Sequence, residues 1–295
     1  MGELPTRGMA MMAKAATRYP VFVPSKGRWE SRLTHKALRK IGVPHKVVVE
    51  PQEARNYAAM IPEEDLLILP HRDKGLVVTR NWIWDYARDT GAARFWTFDD
   101  NIRAFYRFNR NLKVMVTSGT ILRAIEDFVE RYTNVPICGM QYHMFVRRKS
   151  DWKVGPFRLN TRVYSNMLIQ TDARDRRGKP FRNEGFFNDD TDLCLRVLKA
   201  GFCTMLFTAF LIEKAVTMTV SGGMTPHYKD DGRWKMAEEL RRKHPDVTKV
   251  VRKWGRWQHQ VDYRRFARNK LKRRPGIEIP VGVDNYGMAI QAVGK

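Results

Sequence analysis

Two short runs hold acids where ordinary folding has little need of them. Trp96-Thr97-Phe98-Asp99-Asp100-Asn101 is an aromatic, apolar stretch that ends in two carboxylates and a carboxamide. Adjacent carboxylates repel and resist desolvation, so a buried strand finishing on them either holds something or turns into a solvated acidic bend. A divalent cation carrying a diphosphate suits the first case. Mg²⁺ or Mn²⁺ takes a few oxygen ligands and completes its shell with phosphate and water. The second run, Phe186-Phe187-Asn188-Asp189-Asp190-Thr191-Asp192, sets three carboxylates in four residues. Capping the helix expected over 193–200 needs only one acid. Asp189 and Asp190 are therefore expected to point into a cleft, with Asp192 supporting the turn. Facing each other across that cleft, one cluster would hold donor phosphates while the other removes an acceptor's proton. A late loop, Ser221-Gly222-Gly223-Met224-Thr225-Pro226-His227, ends in an imidazole that either completes a metal site or is an ordinary surface histidine.

These residues need a frame. Val21 to Val23 reads as a buried strand stopped by Pro24, followed by the turn Ser25-Lys26-Gly27-Arg28. Backbone N–H groups and two cations would then lie at a strand's carboxyl end, where open α/β sheets place ligands. A phosphate or a nucleotide base fits there, and so does a plain strand-to-helix turn. A helix is expected over 31–41, then a strand over 46–49 ending at Glu50, an acid that either accepts from a ribose or matches the dipole of the helix starting at Pro51. A strand over 66–69, a helix over 75–90 and a strand over 94–98 follow. Strands alternating with helices in this way mean a parallel α/β sheet. Beyond it come a helix over 118–132, strands over 137–140 and 163–170, a basic loop over 147–158, and a polar loop over 171–180 expected to be flexible above the site.

The chain has 295 residues and a formal charge of +23. Such a charge favours a polyanion, most often nucleic acid. It is concentrated: Arg233 to Arg274 carries 16 Lys/Arg against 4 Asp/Glu, interleaved with Trp234, Trp254, Trp257, Tyr263 and Phe266. Cations mixed with aromatics suit a nucleic-acid surface better than a solvated charge run. No apolar run reaches the roughly 18 residues of a membrane span. Cys138, Cys194 and Cys203 show neither metal-type spacing nor a disulfide framework, which fits buried thiols in a reducing cytoplasm. Residues 1–18 read as a disordered start, 19–230 as the α/β body, 231–275 as a basic, aromatic-rich helical extension and 276–295 as a tail.

VFVPSKGR, WTFDDN, FFNDDTDLCLRVLKAGF and a terminal His, in that order, resemble the GT-A type of nucleotide-sugar glycosyltransferase. More closely, the pattern is similar to the TET/JBP-associated glycosyltransferases of tailed phages, thought to decorate hydroxymethylated pyrimidines in DNA. The resemblance implies a GT-A-like, Rossmann-type, mostly parallel sheet flanked by helices. It implies a nucleotide-sugar donor, UDP-linked, bound by Pro24, Ser25, Lys26, Arg28, Glu50, Arg80, Asn81 and Asp99. It implies a divalent metal, Mn or Mg, on Asp99, Asp100, Asn101 and His227, although Asn101 departs from the commonest all-acid motif. Asp190 takes the place of the general base and Asp189 that of the preceding Glu. The implied acceptor is DNA containing a 5-hydroxymethylpyrimidine in the cytoplasm, the host's if the chain is phage-encoded. Beyond the span of the resemblance, the basic, aromatic composition assigns Arg233, Lys235, Arg252, Lys253, Trp254, Arg256, Trp257, Arg264 and Arg265 to holding that DNA. The competing expectations are a transferase with a non-DNA acceptor, a non-catalytic DNA-binding module on the same fold and, lower, a nucleotidyltransferase, whose phosphate loop should hold more than the single glycine of PSKGR.

Overall fold

The computed structural model describes residues 17–146, 155–215, 231–277, 282–283 and 289–290. His227, most of the basic loop after residue 146, most of the N-terminal start and most of the tail lie outside them.

Short apolar runs bounded by turns form the first strands, and amphipathic segments form the helices between them. The first half runs β1 (Val21–Pro24), α1 (Leu33–Lys40), β2 (Lys46–Val49), α2 (Ala54–Ala58), β3 (Leu66–Ile68), α3 (Leu76–Asp89) and β4 (Arg94–Phe98). These strands pair in parallel, in the order β3-β2-β1-β4. The later strands make the sheet mixed. They are β5 (Ile102–Asn109), β6 (Leu112–Met115), β7 (Ile137–Tyr142), β8 (Phe157–Leu159), β9 (Asn166–Gln170) and β10 (Thr204–Lys214), with α4 (Thr120–Val129) and α5 (Asp189–Lys199) between them. The full order is β3-β2-β1-β4-β9-β7-β10-β5-β6, with β8 on β10. β9 is antiparallel to both β4 and β7, whereas β10 is parallel to β7.

The core lies on both faces of this sheet. Trp96 and Phe98 stack on one face with α1 and α4, while Phe22 and Phe95 pack on the other against α3 and α5. Fully burying each such aromatic contributes about 1.5–3 kcal/mol. Trp96 also donates its indole N–H to Glu126 at 2.8 Å, so the strand that delivers the first acids is fixed in depth as well as register. All three cysteines are buried free thiols.

The basic extension is helical at its start and again in a short 3-10 helix, Tyr263–Phe266. α6 (Gly232–Lys243) is followed by an antiparallel hairpin, β11 (Thr248–Lys253) and β12 (Arg256–Val261). Leu240, Val247 and Phe266 form a small core with Leu195 and Leu198 of α5, so the extension is packed on the helix that carries the second acid cluster. Gly185 permits the close approach of α6. It sits at φ +87°, and a side chain there would meet Lys243 and Glu239. Glu239 in turn accepts from the amide of Phe186 at 3.0 Å, and the Asn188 side chain donates to the Met236 carbonyl at 2.8 Å.

Candidate active site

The turn after β4 is fixed from α1. The Thr34 hydroxyl donates to the Asp99 carbonyl at 2.6 Å and accepts from the Ile102 amide at 2.8 Å. Successive residues at a strand end project to opposite sides, and the two acids separate accordingly. Asp99 faces α3 and the end of β10: Oδ1 accepts from Arg80 at 2.9 Å and Oδ2 from Lys214 at 2.7 Å. Asp100 faces the first turn instead, where it pairs with Arg28 and accepts from the Ser25 hydroxyl at 2.9 Å. Burial alone would raise the Asp99 pKa, but Lys214 and Arg80 more than reverse this and hold the carboxyl well below its usual range. At Asp100 burial prevails over Arg28 and Ser25, and its pKa is raised.

The second acid cluster meets the first through Arg80. Its Nη2 donates to Asp99 and its Nη1 to Asp189 at 2.6 Å, so one buried guanidinium spans both clusters. Asp189 and Asp190 lie inside the first turn of α5, which begins four residues earlier than the sequence pattern suggests. One oxygen of Asp190 accepts from the Thr191 amide at 2.6 Å. Among the described residues its other oxygen has no hydrogen-bond partner. Burial and the adjacent Asp189 raise the Asp190 pKa, against the pull of Arg80 and Arg162. A carboxylate with a raised pKa and an open lone pair is equipped to accept a proton. Asp192 accepts from His244 at 2.9 Å and from Arg196 at 2.9 Å, tying α5 to α6.

Around these acids stand groups that the sequence did not single out. Lys214 also donates to Ser165 at 2.7 Å. Tyr142 shares a short hydrogen bond with Ser165 and stacks on Phe145. Arg162 lies over the Tyr164 ring at 4.4 Å and donates to His259 of β12 at 3.3 Å. His259 is neutral there, its pKa pushed down to about 4 by burial and by Arg162. The available signal for Lys214 was the only Lys of a long apolar run, Thr204 to Lys214; for Arg162 there was none.

Several expected donor contacts are differently employed. In the turn after β1, the amide of Gly27 donates to Glu53 at 2.8 Å, that of Arg28 to the Tyr57 hydroxyl at 3.1 Å, and that of Ser25 to the Val48 carbonyl at 2.9 Å. These amides are not exposed for a phosphate, because the helix after β2 folds back over the turn. Lys26 bridges Glu50 at 2.6 Å and Asp73 at 2.5 Å at the rim of the same sheet edge. Asn81 exchanges hydrogen bonds with the backbone of Asn183 and so positions the loop leading to Asp189. The 171–180 loop does not cover the site. It is a tight turn whose Arg176 donates to the Ala200 carbonyl at 2.7 Å, beyond the far end of α5.

A divalent cation at the first acid pair would need carboxylate oxygens turned toward it. All four of those oxygens already accept from Lys214, Arg80, Arg28 or Ser25. As the side chains stand, the pair does not fit a cation. Asn101 Oδ1 is buried without a hydrogen-bond partner among the described residues. Elsewhere His35, His45 and Asp65 bring three ligand-type groups together. His45 Nδ1 donates to the Val43 carbonyl at 2.8 Å, so the 2.9 Å contact between the rings is His35 Nδ1–H donating to His45 Nε2. Asp65 accepts from Arg39 at 3.0 Å.

Of the expected nucleic-acid residues, Lys235, Arg252, Lys253, Trp254, Arg256, Trp257, Arg264 and Arg265 are exposed, and Arg233 is half-buried. No helix among the described residues is long and apolar enough to cross a membrane.

An α/β sheet whose strand ends bring two acid clusters to one guanidinium, with an open-sided carboxylate beside it, is the frame of a group-transfer enzyme. The sequence profile of the TET-Associated Glycosyltransferase family matches residues 19–223, and the chain belongs to that family. It is therefore a glycosyltransferase, of a family linked by name to TET-type DNA base modification. A comparison with curated proteins finds no match.

Proposed function

We propose that the protein transfers a sugar from a nucleoside-diphosphate sugar, UDP-linked in the first instance, to the hydroxymethyl group of a 5-hydroxymethylpyrimidine in DNA. One observation supports this reading: Arg80 holds Asp99 and Asp189 at once, so that Asp190, next in the chain to Asp189, lies close to the strand ends where an α/β sheet binds nucleotides. The donor lies along the ends of β1, β2 and β4, with Lys26, Glu50 and Asp99 at its edges.

Asp190 accepts the hydroxymethyl proton while the hydroxyl oxygen bonds to the anomeric carbon. The bond from that carbon to the diphosphate breaks, its electron pair leaves with the nucleoside diphosphate, and the anomeric centre inverts. A carboxylate suffices as base when proton transfer is late, and most of the rate comes from alignment and from charge stabilisation of the leaving group. The family resemblance implies a divalent cation at Asp99, Asp100, Asn101 and His227, of which His227 lies outside the described residues. With the two carboxylates occupied, no step here is routed through it, and Lys214, Arg80 and Arg28 hold Asp99, Asp189 and Asp100 in position beside the donor. The exposed cations and tryptophans of the extension hold the DNA, and the enzyme works where that DNA is, in the cytoplasm, the host's for a phage gene.

The test is to incubate the protein and DNA containing 5-hydroxymethylcytosine or 5-hydroxymethyluracil with a panel of sugar nucleotides, then digest and weigh the nucleosides. A hexose-sized mass increase on one base supports the reading. No increase with any donor, alongside transfer to a non-DNA acceptor, would move the acceptor elsewhere.

A further inference from the structure

The tip of the hairpin β11–β12 is built against its own stability. The turn runs Lys253-Trp254-Gly255-Arg256, with φ +50° at Trp254 and +72° at Gly255. Two positive φ values are the signature of a type I′ hairpin turn, which favours Asn-Gly. A bulky aromatic in the first of those positions is a backbone outlier. Trp254 gains nothing in return from packing, being 86% exposed. Lys253 and Arg256 are direct cross-strand partners, and like charges placed opposite each other destabilise a hairpin. A strained exposed indole and two facing cations coincide at one turn. Folding explains neither, and a polyanion with stacked aromatic faces suits both.

The root of the hairpin leads to the proposed base. Cross-strand partners share a face, so Val250 with His259 and Arg252 with Trp257 lie on one side. His259 on that side contacts Arg162, whose charge acts on Asp190. Two residues further along β12, about 7 Å, Trp257 stands beneath the Arg252 guanidinium, which lies 5.9 Å from its ring centroid. The turn begins one residue beyond Trp257, on the order of 10 Å along the strand from His259. One face of the hairpin thus runs from the tip past an aromatic–cation pair to the neighbourhood of Asp190.

We propose that this hairpin parts duplex DNA, the Trp254 indole entering the base stack in the place vacated by the hydroxymethylpyrimidine nucleotide as that nucleotide turns out toward Asp190. This rests on the DNA-acceptor reading above. It adds to it the element that opens the duplex and the residue that fills the gap. The Trp257–Arg252 face then receives the extruded base, and Lys253 and Arg256 take the flanking phosphates.

The experiment uses the full chain and two duplexes of one sequence, carrying at the target position 5-hydroxymethylcytosine for transfer or 2-aminopurine for fluorescence. Wild type is expected to raise the 2-aminopurine fluorescence on binding. Trp254→Ala is expected to bind, by anisotropy, without that rise. Transfer by Trp254→Ala should fall about tenfold or more on the duplex, because extrusion is no longer offset by the inserted ring, and far less on the same strand alone. Trp254→Asn, which suits the turn, should show the same loss with undiminished thermal stability, separating the role from folding. A wild-type complex without the rise, a rise retained in Trp254→Ala, or equal losses on duplex and single strand would overturn the proposal. Transfer to neither substrate from any sugar nucleotide would sink the acceptor reading instead, and the fluorescence would still decide the wedge.

Discussion

Nη1 of Arg80 stands 2.6 Å from Oδ2 of Asp189, a contact between residues 109 apart in the chain. The same guanidinium reaches Asp99, and Asp189, Asp99 and Asp190 together raise its pKa further despite burial. Replacing it by methionine leaves two acids facing each other with no shared cation. Arg80→Met is expected to destabilise the fold by about 3 kcal/mol, the lower end for a broken buried pair because Asp99 keeps some solvent contact. Arg80→Lys should recover part of that stability and little transfer, since an ammonium lacks the planar two-armed fork that spans Asp99 and Asp189. Urea unfolding and transfer assays on both variants would check this.

Asp190→Asn should lower transfer by about 10²–10⁴-fold, the usual contribution of a positioned base, while nucleoside-diphosphate binding stays intact. The wild-type rate should rise with pH through a value above the ordinary 3.8 of an aspartate. Stability runs the other way. Between its unfolded and raised folded pKa, Asp190 binds more protons folded than unfolded, so stability is lost as pH rises through that window. Asparagine removes this cost, and the variant should melt higher than wild type at pH 7. A lower melting temperature would contradict the burial argument.

The first four strands were legible because each is a short apolar run bounded by a turn. The meeting of the two acid runs was legible as chemistry. Their geometry was not: which acid faces the cleft depends on strand alternation, and a shift of one residue exchanges Asp99 for Asp100. Arg80 joins the clusters from a helix where its neighbour Asn81 reads as equally functional, and Asn81 holds the loop at Asn183. Lys214 lies 115 residues from Asp99 in sequence, and local spacing cannot mark such a partner. The hairpin at 248–261 was hidden by its composition. Charged residues among its strand positions read as a basic patch, although Trp254-Gly255 carried a turn signal.

Asp192 is held by His244, Arg196 and Lys243, and they outweigh burial and depress its pKa. For an acid with a depressed folded pKa, the stability is present above the unfolded value of 3.8 and lost as pH falls through the folded one. Asp192→Asn should therefore flatten acid denaturation below that pH. At pH 7 it should cost about 1.5–3 kcal/mol, the range for a hydrogen bond to a charged group. Hydrogen exchange should show α6 and the hairpin released together. An undisturbed α6 would mean that the apolar contacts alone dock the extension.

Metal removal tests the occupied acids. Because Lys214, Arg80, Arg28 and Ser25 already fill Asp99 and Asp100, UDP binding measured by calorimetry should be the same in EDTA as in Mn²⁺, within about twofold. Tenfold tighter binding with Mn²⁺ would mean that a carboxylate leaves its cation for the metal. Lys214→Ala should then bind Mn²⁺ more tightly than wild type.

Salt dependence separates cations that meet phosphate from those already paired. Each phosphate contact contributes about 0.9 to the slope of log affinity against log salt on duplex DNA. Charge reversal at Arg252, Lys253 and Arg256 together should therefore flatten the slope by about two to three units. Arg264 is equally exposed, yet both arms of its guanidinium rest on Asp262, at 2.8 and 2.9 Å. Arg264→Ala should leave the slope nearly unchanged, because its charge is already balanced within the chain. Equal flattening by the two changes would show that the extension attracts DNA by overall charge alone, with no particular role for the hairpin. Flattening confined to the hairpin variant would locate the phosphate contacts there.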